Sequence, residues 1–262
     1  MKTIEINELK SIQLEILKNV AEFCDEHQIR WMLAYGTLLG AVRHKGYIPW
    51  DDDIDIMMPR QDYEKFFCLY NKQKNVYKAE EHSINKKYIL PFGKVHDTRT
   101  VLKEIRYNNI EMGIYIDIFP IDGSLPNIKM IKRVDYLKKM IIAKYANWGG
   151  NRNFINNVKL LLAKIIRLFI SDEKLFKELR EICTINNYDN SSYVGYTADS
   201  LVLEKIPKSA LQSVIDAPFE GLNFKIPLGY HEVLTVFYGD YMKLPPVEKR
   251  KQQHYFVAYW KS

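Results

Sequence analysis

The sequence predicts an α+β fold, in which a mixed sheet is flanked by helices and carries a helical insertion. Two kinds of pattern predict it. Apolar residues recur at helical spacing over 8–26 and through most of 126–187. Polar and apolar residues alternate over 53–56 and again over 113–119, as they do in half-buried strands. Strands and helices are therefore mixed in the first half of the chain, and helices dominate the middle.

The first predicted element is an amphipathic helix over 8–26, followed by a buried strand over 30–35. Gly36 ends this strand. Thr37 is suited to cap the next helix, which runs to about His44, because its hydroxyl can accept a backbone N–H bond. The remaining elements before residue 126 are the acidic strand 53–56, a helix 60–70, and strands 88–95 and 113–119.

Pro126 marks the predicted boundary within the chain. We predict a core over 1–125, a basic helical insertion over 126–190, and a C-terminal segment over 191–262 that packs back on the core. The last segment is rich in turns and contains one helix near 230–237. The three parts are expected to form one continuous domain.

Composition excludes several classes of protein. The 262 residues are 47% hydrophobic and 27% charged, which is typical of a globular protein and excludes disorder. The longest apolar run, 160–170, is broken by Lys164 and Arg167 and is too short to span a bilayer. The N-terminus lacks a secretory signal. Three scattered cysteines predict neither a disulfide framework nor a zinc site. We expect a cytoplasmic protein.

Positive charge is concentrated in the insertion. Between Ile128 and Ile170 ten Lys or Arg stand against one acid, Asp135, so this stretch carries +9 while the whole chain carries +6. The apolar residues between these bases predict basic amphipathic helices. Two interpretations remain open: a solvated helical face packed on the core, or a surface for an anionic membrane leaflet or polyphosphate polymer. Nothing else in the sequence supports binding to nucleic acid.

The strongest functional signal is the acidic run Asp51, Asp52, Asp53 and Asp55. These carboxylates repel one another, and placing them beside an apolar strand is costly unless a cation is present. On a strand, Asp53 and Asp55 project from one face, about 6.6–7 Å apart along the chain. That spacing suits two ligands of one hard cation, and magnesium takes few protein carboxylates and fills its other positions with water and substrate phosphate. We predict a site for Mg²⁺ or Mn²⁺.

Three alternatives to a magnesium site explain the acidic run less well. A solvated acidic turn would not alternate with Ile54 and Ile56. A calcium-binding loop between two helices would match Asp51, Asp53 and Asp55, but Ile56 stands where that loop needs glycine. A helix cap would use one aspartate only.

Two further features complete the layout of a nucleotidyltransferase fold. Gly36 and Thr37 lie between a predicted strand and helix, where backbone N–H groups bind phosphate, although an ordinary helix cap explains them equally well. Asp117 lies inside an apolar strand, so a metal ion or an ion pair must be nearby. Asp122 competes for the role of third carboxylate, but it precedes Gly123 and is better explained as a turn residue.

The stretch from Leu33 to Ile56, LAYGTLLGAVRHKGYIPWDDDIDI, closely resembles the LicD family. That family comprises bacterial phosphocholine transferases that act on cell-surface glycans, and it is related to the fukutin-type glycan phosphotransferases of animals. The resemblance continues more loosely through 116–123 and through 238–254 near the C-terminus. It does not cover 127–189.

The resemblance implies a nucleotidyltransferase-like fold that uses CDP-linked alcohols, typically CDP-choline, together with a divalent metal. The carboxylates that it assigns to the metal are Asp53, Asp55 and Asp117, with Asp51 as an auxiliary. Gly36 and Thr37 would cradle the diphosphate of the donor. His254, beside Tyr255 and Phe256, is a candidate general base or a packed imidazole.

Several basic residues are candidates for contact with the donor phosphates: Arg43, His44, Lys45, Lys94, Arg99 and Arg250. Arg43 is favoured because its guanidinium group matches two phosphate oxygens. His44 and Lys45 fit a solvated turn equally well.

The implied reaction transfers a phosphorylated alcohol, typically phosphocholine, to a hydroxyl of a lipid-linked glycan or teichoic-acid precursor and releases CMP. Asp117 or His254 would take the proton of that hydroxyl. The basic insertion would hold the enzyme against the anionic inner leaflet of the membrane, and no nucleic-acid partner is expected. The rival hypotheses are a nucleotidyltransferase that attaches a nucleoside monophosphate to a sugar, protein or RNA, and a non-catalytic module that binds anionic polymers. A template-dependent polymerase ranks last.

Overall fold

The computed structural model of the chain describes residues 2–104, 111–145, 154–199, 205–250 and 256–261. The α-helices in these ranges are α1 (Ile6–Glu26), α2 (Tyr35–His44), α3 (Arg60–Leu69), α4 (Ile128–Tyr145), α5 (Phe154–Arg167), α6 (Asp172–Cys183) and α7 (Tyr230–Tyr238). The strands are β1 (Thr3–Ile4), β2 (Met32–Leu33), β3 (Asp55–Pro59), β4 (Tyr77–Glu80), β5 (Gly93–Asp97), β6 (Thr100–Glu104), β7 (Tyr115–Gly123), β8 (Tyr193–Gly195), β9 (Ile206–Pro207), β10 (Val214–Phe219), β11 (Leu222–Pro227) and β12 (Phe256–Trp260).

The central sheet has the strand order β2-β3-β7-β5-β4, and β8 and β9 continue it from the end of β7. β3 and β7 run parallel, whereas the other pairs of this sheet are antiparallel. All five residues of β3 are buried, because the strand lies inside the sheet and helices α2 and α3 pack against it. The predicted α+β class with a mixed sheet is confirmed.

The apolar side of α1 packs against β5 and β7. Ile16, Leu17 and Val20 on this side are fully buried, as the helical spacing of apolar residues predicts. The predicted helices over 8–26, 60–70 and 230–237 are confirmed as α1, α3 and α7.

The helices predicted for the insertion are confirmed as α4, α5 and α6. α4 and α6 pack together, and Val134, Leu137 and Leu179 join the hydrophobic core. α5 packs on α4. The division of the chain at residue 126 stays a prediction. Among the described residues, no helix combines the length and the apolar character needed to cross a membrane.

A hairpin of β10 and β11 follows the insertion, and the sequence pattern did not predict it. Its two turn residues, Glu220 and Gly221, have φ of 50° and 79°, as a type I′ turn requires. Glu220 lies against the loop that follows α2. Its N–H donates to the carbonyl of Lys45 at 3.0 Å, and its carboxylate accepts from the N–H of Tyr47 at 2.9 Å. The hairpin therefore braces that loop.

Two strand predictions need correction. The strand expected over 88–95 begins only at Gly93. Tyr88 instead lies in the preceding loop and is buried there. The strand expected over 30–35 is confined to β2, because α2 already begins at Tyr35.

Candidate active site

The register of three neighbouring strands places two acids and one base side by side. Asp55 on β3 lies opposite Asp117 on β7, and Lys94 on β5 lies opposite Asp117 from the other side. Directly opposed side chains on one sheet face have Cβ atoms about 5 Å apart. Lys94 Nζ forms an ion pair with Asp117 Oδ1, and both side chains are largely buried. The ion-pair partner expected for Asp117 is therefore Lys94.

We call Asp55, Asp117 and Lys94 the acid row. Two more carboxylates approach it from the loop 51–54 before β3, which we call the acidic loop. Asp51 and Asp53 share a side-chain hydrogen bond. Burial, followed by the charge of Asp53, raises the pKa of Asp51 to about 8. Burial also raises the pKa of Asp55 well above its ordinary value, and the charges of Asp53, Asp117 and Asp51 add to the effect. The four acids are thus close enough to oppose one another's ionisation.

The prediction that Asp53 and Asp55 share one strand face is wrong, because β3 begins at Asp55. Asp53 lies in the preceding loop. It nevertheless lies near Asp55, whose pKa its charge raises. The loop, rather than the strand, brings these carboxylates together.

The donor set suits a hard divalent cation, because the four carboxylates supply the oxygen ligands that Mg²⁺ and Mn²⁺ prefer. Burial and the neighbouring acids raise the pKa values of Asp51 and Asp55, so a bound cation would stabilise their charged forms. Across the described ranges, no three His, Cys, Asp or Glu side chains already stand in an arrangement that could hold a metal ion. Asp51 and Asp53 bond to each other, and Asp117 is paired with Lys94. Metal binding by Asp51, Asp53, Asp55 and Asp117 stays a prediction.

A buried glutamine positions the acidic loop. Gln13 on α1 donates from Nε2 to the carbonyl oxygens of Asp52 at 3.0 Å and Tyr115 at 3.2 Å. Its Oε1 accepts from the hydroxyl of Tyr47 at 3.1 Å. Gln13 therefore ties the acidic loop to the start of β7, two residues before Asp117. Sequence reasoning missed this role, whose signal is a polar residue that directly follows Ile12 on the apolar side of the helix.

The first turn of α2 lies against the acidic loop. A Cβ atom on Gly36 would stand 2.5 Å from Oδ2 of Asp51. The prediction that Thr37 caps this helix is wrong, because α2 begins at Tyr35 with Ala34 as the N-cap. The Thr37 hydroxyl instead accepts from the N–H of Asp55 at 2.8 Å. Contact of Gly36 and Thr37 with a donor phosphate stays a prediction, consistent with the preference of anions for helix N-termini.

We expect Gly36→Ala to lower kcat/KM for the expected transfer reaction by at least about tenfold, since the added methyl group displaces the Asp51 carboxylate. Stability should change by no more than about 1 kcal/mol, because alanine favours the helix. Steady-state kinetics and urea unfolding measure the two effects. In an Asp51→Ala background the same Gly36→Ala change should have little further effect on kcat/KM. An equal loss in both backgrounds would show that the methyl group acts elsewhere.

Three of the predicted phosphate-binding bases meet around Trp50, which directly precedes the acidic run. Arg43 donates from Nε to His44 Nε2 at 2.9 Å and from Nη1 to the carbonyl of Tyr241 at 2.7 Å. The Arg250 guanidinium lies 5.5 Å from the ring centroid of Trp50, and the His44 ring lies 6.4 Å from it. We call Arg43, His44 and Arg250 the basic corner. Its position beside the acidic loop fits a contact with phosphate.

The other predicted bases lie elsewhere. Arg99 forms a 2.6 Å ion pair with buried Asp97. Lys45 is the C-terminal cap of α2, with φ of 62°. Lys94 belongs to the acid row. His254 lies outside the described residues, so its proposed role as general base remains a prediction.

Asp122 is not a turn residue, because it lies within β7 and is only 1% exposed. Both of its carboxylate oxygens accept from Arg60, at 2.8 and 2.5 Å. The hydroxyl of Thr197 approaches the same carboxylate at 3.3 Å. Asp122 thus has a structural ion-pair partner in Arg60. This pairing weakens its candidacy as the third metal-binding carboxylate and favours Asp117.

Half-buried aromatic rings lie next to the acid row. Phe119 follows Asp117 by two residues on β7, so the two side chains share a sheet face. The Phe119 ring centroid lies 4.6 Å from that of Phe92 and 5.1 Å from that of Tyr35, and Tyr35 lies 4.7 Å from Phe237. We call Phe119, Phe92, Tyr35 and Phe237 the aromatic cluster. Sequence reasoning missed it, although Phe92 and Phe119 each stand two residues from a member of the acid row.

Comparison with known proteins identifies the family of the chain. Residues 28–148 match the family described as LicD/FKTN/FKRP, nucleotidyltransferase domain. The chain is 33% identical, over 272 aligned positions and 99% of both chains, to the lipopolysaccharide cholinephosphotransferase LicD of Haemophilus influenzae. It is also 35% identical to an uncharacterised protein of Rickettsia typhi over 91 residues, which cover 34% of this chain and 29% of that protein. Because the similarity to the Haemophilus protein extends over the whole chain, this protein belongs to the LicD family and is a transferase.

Proposed function

We propose that the protein transfers phosphocholine from CDP-choline to a hydroxyl group of a cell-surface glycan precursor, of the lipopolysaccharide or teichoic-acid kind, and releases CMP. The observation that carries the proposal is the grouping of four carboxylates, with the aromatic cluster beside Asp117 and the basic corner beside Asp51. A full-length relative described as a lipopolysaccharide cholinephosphotransferase supports the choice of transferred group.

Each part of the site has a proposed role. Asp53, Asp55 and Asp117, with Asp51, would hold Mg²⁺ or Mn²⁺, which supplies neutralising charge for the donor diphosphate when bound. The basic corner would bind the donor phosphates, with Arg43 suited to two oxygens at once. Lys94 positions Asp117 through their ion pair. For the proton of the attacking hydroxyl we propose Asp117 or His254, of which Asp117 alone lies among the described residues.

The aromatic cluster favours choline as the transferred alcohol. A quaternary ammonium group cannot donate hydrogen bonds, and aromatic ring faces attract it through their negative electrostatic potential. The edge of the cluster already contacts a cation, since Lys94 Nζ lies 5.3 Å from the ring centroid of Phe92. The same ammonium group also lies over the ring of Tyr115, 3.3 Å from its centroid. We therefore propose that the choline moiety binds against the rings of Phe92 and Phe119.

Phe119→Leu should raise KM for CDP-choline about fivefold to thirtyfold, because it removes one ring face at a cost of about 1–2 kcal/mol. KM for CDP-glycerol, which carries no cation, should change less than about threefold. The matched control is Phe176→Leu, which alters a partly buried ring stacked on His82. Kinetics with both donors test the assignment. Equal losses for the two donors would mean that Phe119 serves packing only.

The reaction itself is tested with radiolabelled CDP-choline and a glycan acceptor. We expect label in the glycan, release of CMP, and loss of both products when a chelator removes divalent cations. Parallel reactions contain nucleoside triphosphates instead of CDP-choline. Attachment of a nucleoside monophosphate there, without choline transfer, would support the nucleotidyltransferase hypothesis. Polymer binding without any turnover would support a non-catalytic module.

A further inference from the structure

Helix α5 and the two residues after it turn an apolar surface towards solvent. The exposed fractions of the large apolar residues there range from 39% to 84%. They recur every three or four residues, so they lie along one side of the helix. We call this side the outward face, and it comprises Val158, Leu161, Leu162, Ile165, Ile166 and Phe169. Leu168, next to Phe169, is also exposed. Six large apolar side chains on one exposed helix face form a patch that a water-soluble surface rarely carries.

The opposite side of α5 attaches the helix to the protein. α5 packs on α4, and Ala163 and Ile170 pack against the hydrophobic core. The buried guanidinium of Arg167 pairs with Asp172 and donates to the carbonyl of Ile170. The inner side of α5 is therefore already packed against the protein. The outward face is a second, separate apolar surface of the helix that remains exposed to solvent.

The charged residues of α5 itself are all positive. Lys159 and Lys164 lie on either side of it when the residues are projected at 100° per residue. No Asp or Glu occurs from Phe154 to Ser171. An apolar helix face bordered by lysines is typical of helices that lie in the surface of an anionic bilayer. A protein partner of ordinary composition would not require this one-sided charge.

We propose that α5 binds the protein to an anionic lipid leaflet, with the outward face in the region between headgroups and acyl chains and with Lys159 and Lys164 at the lipid phosphates. The helix has 14 residues, fewer than the roughly 20 that a bilayer crossing needs, so it lies along the membrane surface. The proposal does not rest on the transfer reaction, because lipid binding requires neither donor nor acceptor.

Flotation of the full-length protein with lipid vesicles tests the proposal. Vesicles of phosphatidylcholine with phosphatidylglycerol should bind the protein at least about tenfold more tightly than pure phosphatidylcholine, and high salt should remove most of this preference. Leu162→Gln with Ile165→Gln should weaken binding to the anionic vesicles at least about tenfold. The melting temperature should not fall, since both replaced side chains are exposed. Lys159→Glu with Lys164→Glu should abolish the preference for anionic lipid.

The matched control changes two apolar residues of similar exposure near the β10–β11 hairpin, Val214→Gln with Leu228→Gln, and should bind like the wild type. The proposal is overturned if the wild type does not bind anionic vesicles, or if Leu162→Gln with Ile165→Gln binds as tightly as the wild type. It is also overturned if the protein forms a dimer that this double variant converts to a monomer while vesicle binding is absent. The outward face would then be a contact between copies of the chain. All of these measurements are made without substrate, so their failure leaves the proposed transfer activity intact.

Discussion

Replacing Asp55 by Asn is expected to lower transfer activity by more than about 100-fold while the fold stays intact. Loss of residues that merely support metal ligands costs about 10–100-fold, so loss of a ligand should exceed that range. Asn keeps the size of the side chain but removes its charge. Because burial and the charges of Asp53, Asp117 and Asp51 raise the pKa of Asp55, a neutral amide there should not destabilise the protein. Asp53→Asn should lose activity for the same reason.

Thermal unfolding with and without Mg²⁺ separates metal binding from catalysis. Magnesium should raise the melting temperature of the wild type, since a ligand at about 100 times its Kd stabilises the folded state by about 2.7 kcal/mol. Asp55→Asn should lose this response, whereas Asp216→Asn, at an exposed position on β10, should keep both the response and the activity. Near-wild-type turnover in a folded Asp55→Asn or Asp53→Asn protein would refute the assignment.

Removing the carboxylate of Asp122 should cause a large loss of stability. Asp122→Ala leaves the guanidinium of Arg60 buried without its partner, and breaking a buried ion pair in this way costs about 3–5 kcal/mol. The side chains are 17% and 2% exposed for Arg60 and Asp122, so water cannot replace the lost contact. Urea unfolding measures the free energy. The control is Asp135→Ala, which breaks a 2.5 Å surface pair with Lys139 and should cost less than about 1 kcal/mol.

The same pair of aspartates on β7 distinguishes structural from catalytic roles. Both Asp117→Asn and Asp122→Ala leave a buried base without its ion-pair partner, so both should lose stability, but only Asp117→Asn should lose activity in the protein that remains folded. A folded Asp122→Asn protein whose activity falls as far as that of Asp117→Asn would make Asp122 a candidate metal ligand again. Measuring turnover and unfolding on the same preparations decides between these outcomes.

The parts of the fold that could be predicted are those determined by local pattern. α1, α3 and α7 follow from the spacing of apolar residues, which repeats within each helix. The acidic loop could be found because four carboxylates within five residues are unusual beside an apolar strand. In these cases the physical cause lies within a few residues of its effect.

The parts that could not be predicted depend on contacts between distant segments. Lys94 meets Asp117 only because β5 and β7 adopt one particular register. Thr37 has the chemistry of a helix cap, but its hydroxyl is taken by the N–H of Asp55 once β3 lies beside α2. The amphipathic pattern of α5 was visible in the sequence, yet it does not say which side of the helix faces the protein. Only the packing of α4 on the opposite side decides that.

The contacts of Glu220 at the hairpin tip affect which residues a functional fragment of the enzyme must include. Residues 28–148, which match the family model, contain every residue of the acid row. Two contacts from outside this range nevertheless hold the end of α2 and the loop after it: Glu220 accepts from Tyr47 in the loop, and the carbonyl of Tyr241 accepts from Arg43 in α2. A fragment of residues 28–148 would retain the four carboxylates of the site but would lose the contacts with Glu220 and Tyr241. We therefore expect an active fragment to need the C-terminal part of the chain as well as the stretch that matches the family model.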